Sequence, residues 1–226
     1  MKAAVIGTGK TGGKVVELLG DSLLITFDEQ NPVTSEALKQ ADVVIIFVPG
    51  DAVPAILPKV LESGIPAVWG STGYAWSNQL HDEVKEAGNR WILASNFSLG
   101  MNIVRKCIQV ISKGSNILPS PEYAMHEVHH IHKKDAPSGT ALSWKEWLAK
   151  DVDITHEREG DVKGIHELEM KTAFESIFLR HEALDRAVFA AGAIWAAEQL
   201  VKQSHLKGVY SFSEIFDQIF TELNDG

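Results

Sequence analysis

Four of the nine histidines fall in one short stretch, His126-Glu127-Val128-His129-His130-Ile131-His132, and Lys133, Lys134 and Asp135 follow at once. A solvated charge run is rarely so rich in imidazole. Histidine is the side chain whose proton is gained and lost nearest neutral pH, so the cluster points to acid–base chemistry. Two other readings stand beside that one. His130-x-His132 on one strand face, with Glu127 or a distant acid, could ligate a metal, but no second cluster with ligand spacing appears and no metal is expected. The third reading is purely structural. In a strand, residues two apart share a face, so His129, Ile131 and Lys133 point one way and His126, Val128, His130 and His132 the other. His129 and Lys133 would stand roughly 13 Å apart on a straight strand. They can serve one small substrate only if the strand ends or bends first, and the turn-forming Asp135-Ala136-Pro137 offers that break. In the next residues, Pro137-Ser138-Gly139-Thr140, a helix opens. The N–H groups of Gly139 and Thr140 have no partner inside that helix and form a cradle for a carboxylate.

A second constellation lies at the start of the chain. Gly7-Thr8-Gly9-Lys10-Thr11-Gly12 joins an apolar run, Ala3 to Ile6, to a helical pattern carrying Val15, Val16, Leu18 and Leu19. Glycines spaced G-x-G-x-x-G permit the tight turn and let the backbone approach a pyrophosphate at the helix N-terminus. Asp28, 21 residues after Gly7, ends the second apolar run, where a carboxylate would bond ribose hydroxyls. Gly9-Lys10-Thr11 imitates a triphosphate-binding loop, but the glycine that motif needs upstream is Ala4 here. Asp28 and Glu29 repel a 2′-phosphate, and Lys39 is the only basic side chain between Asp28 and residue 50. NADH is therefore expected in preference to NADPH.

These groups need a scaffold, and the hydrophobic pattern supplies one. Strands are predicted at Ala3–Ile6, Leu23–Phe27, Val43–Val48, Ile65–Trp69 and Trp91–Ala94. Helices fall between them, one of them capped by Asp51 and reaching Ser63. The alternation predicts an α/β fold, a Rossmann-like doubly wound parallel sheet. After about Asn102 the pattern changes to a mixed α+β unit. It has a helix at Ile103–Ser112, a strand at Glu122–Ile131, a helix at Thr140–Ala149 and a strand pair at Ile165–Met170 and Ala173–Arg180. The last helices, Leu184–Val201 and Ser213–Leu223, have apolar faces that need a large partner. The expected domains are 1–101 with 187–226 for the dinucleotide, and a smaller mixed-sheet domain, 102–186, for substrate and oligomerisation.

Composition narrows the partners. A net charge of −9 argues against nucleic acid or an anionic membrane. No apolar run reaches the ~20 residues that span a bilayer, and no signal-peptide pattern precedes the first strand. Cys107 is the single cysteine, so no disulfide forms within the chain. It is expected to be a buried helix residue in a reducing, cytoplasmic protein.

The stretch Glu127–Ala141, EVHHIHKKDAPSGTA, resembles the dihydrodipicolinate reductase family. Gly70-Ser71-Thr72-Gly73, Ala94-Ser95-Asn96-Phe97-Ser98-Leu99-Gly100-Met101-Asn102, Gly164-Ile165-His166-Glu167 and Arg180-His181-Glu182-Ala183-Leu184-Asp185-Arg186 follow in family order. The resemblance implies a reduction of the cyclic imine dicarboxylate 4-hydroxy-tetrahydrodipicolinate by NADH or NADPH. It implies His129 as acid/base and Lys133 as second proton donor. His130, Ser138, Gly139, Thr140 and Arg186 would bind substrate. Gly7 to Gly12, Asp28, Phe47, Gly70, Ser71, Thr72, Ala94, Ser95, Asn96 and Phe97 would line the cofactor. It also implies a homotetramer built through the second domain's sheet. The chain departs from the family pattern at Lys10-Thr11, at Ile46 and at Val48, and it is shorter than common members. Two other functions fit the residues without the resemblance: a dehydrogenase acting on an amino acid or sugar, and a non-catalytic dinucleotide sensor.

Overall fold

The structure is a computed structural model that describes residues 1–224. The chain forms two compact units, one of Met1–Ser98 with the segment from Arg186 onward, the other of Leu99–Asp185.

In the first unit, strands and helices alternate as β1 (Ala3–Ile6), α1 (Lys10–Leu19), β2 (Leu23–Phe27), α2 (Ser35–Leu38), β3 (Val43–Ile46), α3 (Val53–Ser63), β4 (Ala67–Trp69), α4 (Leu80–Glu86) and β5 (Arg90–Leu93). After the second unit the chain returns with α7 (Ala187–Lys202), β10 (Gly208–Ser211) and α8 (Phe212–Asn224). The six strands are all parallel, in the order β10-β5-β4-β3-β1-β2. Every residue of β1, β3 and β4 is buried, as parallel strands covered on both faces must be. Each buried Val or Ile contributes about 1.5–3 kcal/mol relative to exposure. Helix α7 packs against α1 and against β3, β4 and β5. It approaches closely because its inner face is small: Ala190, Gly192, Ala193, Ala196 and Ala197 are buried.

The second unit contains α5 (Leu99–Gly114), β6 (Glu122–His129), α6 (Gly139–Leu148), β7 (Ile154–Arg158), β8 (Ile165–Lys171) and β9 (Ser176–Glu182). Its mixed sheet runs β7-β6-β8-β9, with β6 parallel to β7 and the other pairs antiparallel. Met101, Val104 and Ile108 of α5 and Trp144 and Leu148 of α6 pack with Met125 of β6 and Leu168 of β8. The alternating pattern of β8 sends His166, Leu168 and Met170 to this buried side.

The α/β architecture with its second mixed sheet is the predicted one. Several details differ. Strand β6 stops at His129, short of the expected Ile131, because the chain turns where Lys133 N–H bonds the His130 carbonyl at 3.1 Å. Asp51 caps nothing: it lies in a 3-10 turn, Gly50–Ala52, and Ala52 is the N-cap residue of α3. Cys107 is half-buried, not buried, since α5 turns Val104 and Ile108 most fully to the core. Strands β7 and β10 were not predicted; each is short, and β7 has no apolar alternation.

Candidate active site

The carboxyl edge of the parallel sheet gathers the residues expected to hold a cofactor. Just past each strand, a backbone N–H bonds the neighbouring strand's last carbonyl. Gly7 bonds Phe27 at 2.9 Å, Phe47 bonds Ile6 at 2.9 Å, Gly70 bonds Ile46 at 2.8 Å and Ala94 bonds Trp69 at 3.1 Å. Gly7, Phe47, Gly70 and Ala94 are thereby fixed in one row. The strand order reverses between β1 and β3, which places the glycine loop at the switch point where ligands enter such sheets. A Cβ on Gly7 would lie 2.2 Å from the Phe47 carbonyl oxygen, and one on Gly12 would lie 1.8 Å from the Gly7 oxygen. The turn is closed by glycine. At Gly9 an added Cβ would meet no atom within 4 Å, so packing does not explain that glycine. Gly9 is the N-cap residue of α1, without a side-chain cap and with no acidic residue in the first turn. Its helix start leaves N–H groups for an anion. Thr8 and Lys10 are exposed beside it and Thr11 is half-buried.

Asp28 follows β2 directly. Its Oδ1 accepts from the Gln30 and Asn31 N–H groups, both at 2.9 Å, which fixes the carboxylate and leaves Oδ2 without a partner among the described residues. The Phe47 ring meets Phe97 edge-on at 6.0 Å and fills the space a side chain at Gly70 would need. Ser71 is buried and its Oγ has no hydrogen-bond partner, whereas Thr72 and Ser95 are exposed. Asn96 turns its Oδ1 to the Ser98 N–H at 2.8 Å.

In the second unit one carboxylate organises the histidine cluster. Glu127 is fully buried. Its Oε1 accepts from the Ser138 N–H at 2.9 Å and from Arg158 Nη2 at 3.2 Å. Its Oε2 faces two imidazoles, His129 Nδ1 at 3.5 Å and His166 Nε2 at 3.6 Å. The two rings meet edge-on at 5.0 Å, and Ser138 Oγ lies 3.2 Å from His166 Nε2. Ser138 also caps α6, accepting from Ala141 N–H, so the N–H groups of Gly139 and Thr140 have no helical partner. Lys133, on the loop beyond β6, bonds Asp135 Oδ1 at 2.9 Å. His130 is half-buried, with its ring 6.3 Å from that of His132. The structure thus brings together His129, Ser138, Gly139 and Thr140. Arg186 is exposed and belongs to the first unit, as the N-cap residue of α7.

The family model described as "Dihydrodipicolinate reductase, C-terminus" matches residues 100–216. The 4-hydroxy-tetrahydrodipicolinate reductase of Bdellovibrio bacteriovorus is 34% identical over 188 residues, which cover 80% of this chain and 79% of that one. That of Haloarcula marismortui is 32% identical over 253 residues, covering 96% and 99%. The chain belongs to the dihydrodipicolinate reductase family. A dipicolinate-bound dihydrodipicolinate reductase from Paenisporosarcina sp. TG-14 has the same fold. Its TM-score is 0.75, over 93% of this chain and 97% of that one, at 18% identity. A model described as a CoA binding domain also matches residues 24–113, a stretch that leaves out the glycine loop.

As a member of this reductase family the protein is an NAD(P)H-dependent oxidoreductase, and the carboxyl edge fits such a cofactor. The unfilled space at Gly9, the unpartnered Ser71 Oγ and the fixed carboxylate of Asp28 each offer it something packing does not use. Sequence reasoning gave no role to Arg158, Gly164 or His166 and took Glu127 only as a possible metal ligand. Glu127 sits two residues before His129 on the same strand face, a spacing that foretells the contact. His166 lay in the quoted motif Gly164-Ile165-His166-Glu167. Arg158 lies on the unpredicted β7 and had no local signal.

Burial lowers the proton affinity of His129; the Glu127 charge opposes this, and Lys133 and Arg158 reinforce it. His166 is driven down to about 4, by burial first and then by His129, and is neutral at neutral pH. Burial also opposes ionisation of Glu127, but Ser138, His129 and Arg158 outweigh it and keep the carboxyl below its ordinary range. Glu127, His129 and His166 have the spacing of a metal site, unlike the His130 and His132 pair considered from sequence. The Arg158 guanidinium bonds the same carboxylate and Lys133 acts on the same imidazole. That positive charge opposes a cation and suits proton transfer to an anionic substrate.

Proposed function

We propose that this reductase converts 4-hydroxy-tetrahydrodipicolinate to tetrahydrodipicolinate with loss of water, using NADH in preference to NADPH, with His129 as the proton donor. The observation that carries this reading is the shared anchor. Through Glu127, one imidazole and one helix start with unpaired N–H groups are fixed together. A dicarboxylate that must receive a proton needs those two things at once.

The glycine loop, Asp28, Phe47, Gly70, Ser71, Thr72, Ala94, Ser95, Asn96 and Phe97 would hold the cofactor, with Asp28 Oδ2 accepting from ribose hydroxyls. A reduced nicotinamide, when bound, supplies hydride for ring C4. Gly139 and Thr140 N–H groups, Ser138 and His130 bind the substrate carboxylates, and Lys133 and Arg186 add positive charge. The C4 hydroxyl leaves as water with a proton from the adjacent ring carbon, and once C4 has taken the hydride His129 returns one proton to that carbon. The neutral ring then recovers a proton from solvent. His129→Gln should lower kcat by about 10²–10³-fold with little change in KM, followed by the near-ultraviolet absorbance of NADH. A near wild-type rate excludes the assignment. NADH binding with no substrate-dependent oxidation would favour the sensor.

For assembly we propose a homotetramer joined through the second unit's sheet. Phe178 of β9 is 58% exposed and the adjoining Phe174 is 89% exposed, large apolar groups of the kind interfaces cover. Light scattering should give about four times the chain mass of 24.8 kDa. We place the enzyme in the cytoplasm. None of the described helices is long and apolar enough to cross a membrane.

A further inference from the structure

We propose that Glu127 is a positioning residue for His129: its buried carboxylate, pinned at Oε1, turns Oε2 to His129 Nδ1 and makes Nε2 the atom that delivers the proton. The proposal rests on the reading of His129 as the proton donor. It concerns how that imidazole is held.

The geometry gives Glu127 one orientation. Two donors, Ser138 N–H and Arg158 Nη2, meet at Oε1. Arg158 is itself held by the Asp135 carbonyl, and the Glu159 N–H bonds the His129 carbonyl at 2.8 Å. Oε2 and His129 Nδ1 are both buried, and each lacks a hydrogen-bond partner at 3.5 Å. Catalytic contacts that are long without substrate commonly shorten once substrate is bound. A buried carboxylate oxygen only accepts, so Nδ1 must carry a proton whenever the two close. On the other side of the ring, Nε2 faces Gly164, where an added Cβ would stand 3.1 Å away. The protonated ring therefore gives Nδ1–H to Glu127 and holds Nε2–H for substrate. After transfer it keeps Nδ1–H and presents an unprotonated Nε2, whose lone pair is ready to take up a proton. A carboxylate that orients an imidazole this way is a recurrent solution.

Five groups act on this imidazole: Glu127 of its own strand, His166 of β8, Arg158 of β7, and Lys133 and Asp135 of the following loop. Burial, Lys133 and Arg158 favour the neutral ring, and Glu127 is the strongest influence toward the charged one. Glu127 thus sustains the acid form as well as its orientation.

Glu127→Gln tests this directly. Its amide oxygen must stay where two N–H donors converge, so its NH2 group takes the Oε2 position. That group donates toward Nδ1 and drives the neutral ring to the Nε2–H tautomer. Nitrogen-15 spectra of histidine-labelled, unliganded enzyme should show His129 protonated at Nδ1 in the wild type and at Nε2 in the variant. The variant's kcat should fall about 10- to 100-fold. Its KM should stay within about threefold, because the Ser138 anchor survives. Its basic limb should move to lower pH. Glu127→Asp keeps the charge and should recover part of the rate. A wild-type ring protonated at Nε2 alone, or a Gln variant with unchanged tautomer and pH profile, overturns the proposal. Failure of the proton-donor reading is read separately, as full activity in His129→Gln.

Discussion

Gly9 and Gly12 belong to one motif, yet the structure predicts opposite consequences for the same added methyl group. At Gly12 the new Cβ would stand 1.8 Å from the Gly7 carbonyl oxygen, backbone against backbone, with no flexible side chain to yield. Helix α1 must shift, and with it the buried Val15 and Leu19. Overpacking this severe costs about 3 kcal/mol or more. In a chain of this length that lowers Tm by roughly 6–12 °C. At Gly9 the added Cβ meets no atom, and φ is −67°, which any residue adopts. Gly9→Ala should unfold within about 2 °C of the wild type. Its methyl would occupy the space a pyrophosphate needs, so NADH binding should weaken by about 1.5–3 kcal/mol, or 10- to 100-fold. Thermal unfolding with and without NADH reads both effects. Saturating NADH at about 100 times its Kd stabilises the wild type by about 2.7 kcal/mol, and about half to five-sixths of that gain should vanish in Gly9→Ala. An alanine variant that keeps the full NADH-induced gain would refute the assignment of this loop to the cofactor.

Asp28→Asn removes the charge opposed to a 2′-phosphate and should narrow the preference for NADH over NADPH by about tenfold, measured as the ratio of kcat/KM values. Gly164→Ala sets a methyl against His129 Nε2 at a φ of +153°, where side chains are strained; kcat should fall at least tenfold while NADH affinity is unchanged. His166 has a folded pKa of about 4 against an ordinary 6.5. The unfolded chain therefore binds the extra proton between those values, and stability present above about pH 6.5 is lost as pH falls toward 4. The loss is on the order of 3 kcal/mol in all, about 2 of it by pH 5. Urea midpoints at pH 7 and pH 5 should differ less in His166→Gln than in the wild type.

How much of this was readable beforehand depends on the range of the interactions. The parallel sheet was legible because β1 and β3 are apolar at every position, a pattern set by burial on both faces. The glycine loop was legible because its constraints are local, residue 7 against residue 12. The end of β6 was harder to place. His130 and Ile131 are good strand residues, and the turn at Lys133 overrides them. Strand β7 was invisible because its pattern has no buried alternation and its place depends on parallel pairing with β6. Arg158 was lost with it. The histidines could be seen as a cluster, but their partner across the sheet could not. Glu127 and His166 are register partners on β6 and β8, 39 positions apart.

The energetics of that register pair argue that the cluster is kept for something other than stability. A fully buried carboxylate beside an arginine and two imidazoles does not stabilise a fold as well as apolar residues of the same volume would. Its Oε2 and the facing Nδ1 are also both unpaired in the interior, a further cost of about 1–3 kcal/mol for each. A hydrophobic replacement that packed well would be more stable and would do nothing to a proton. Trp144 and Leu148, packed beneath on α6, show that this unit can fill its interior with apolar groups where no chemistry is asked of it. Glu127 Oε2 and His129 Nδ1 are left unpaired where the Glu127 carboxylate also holds the start of α6. That is the arrangement expected when local instability is retained to hold a proton donor ready.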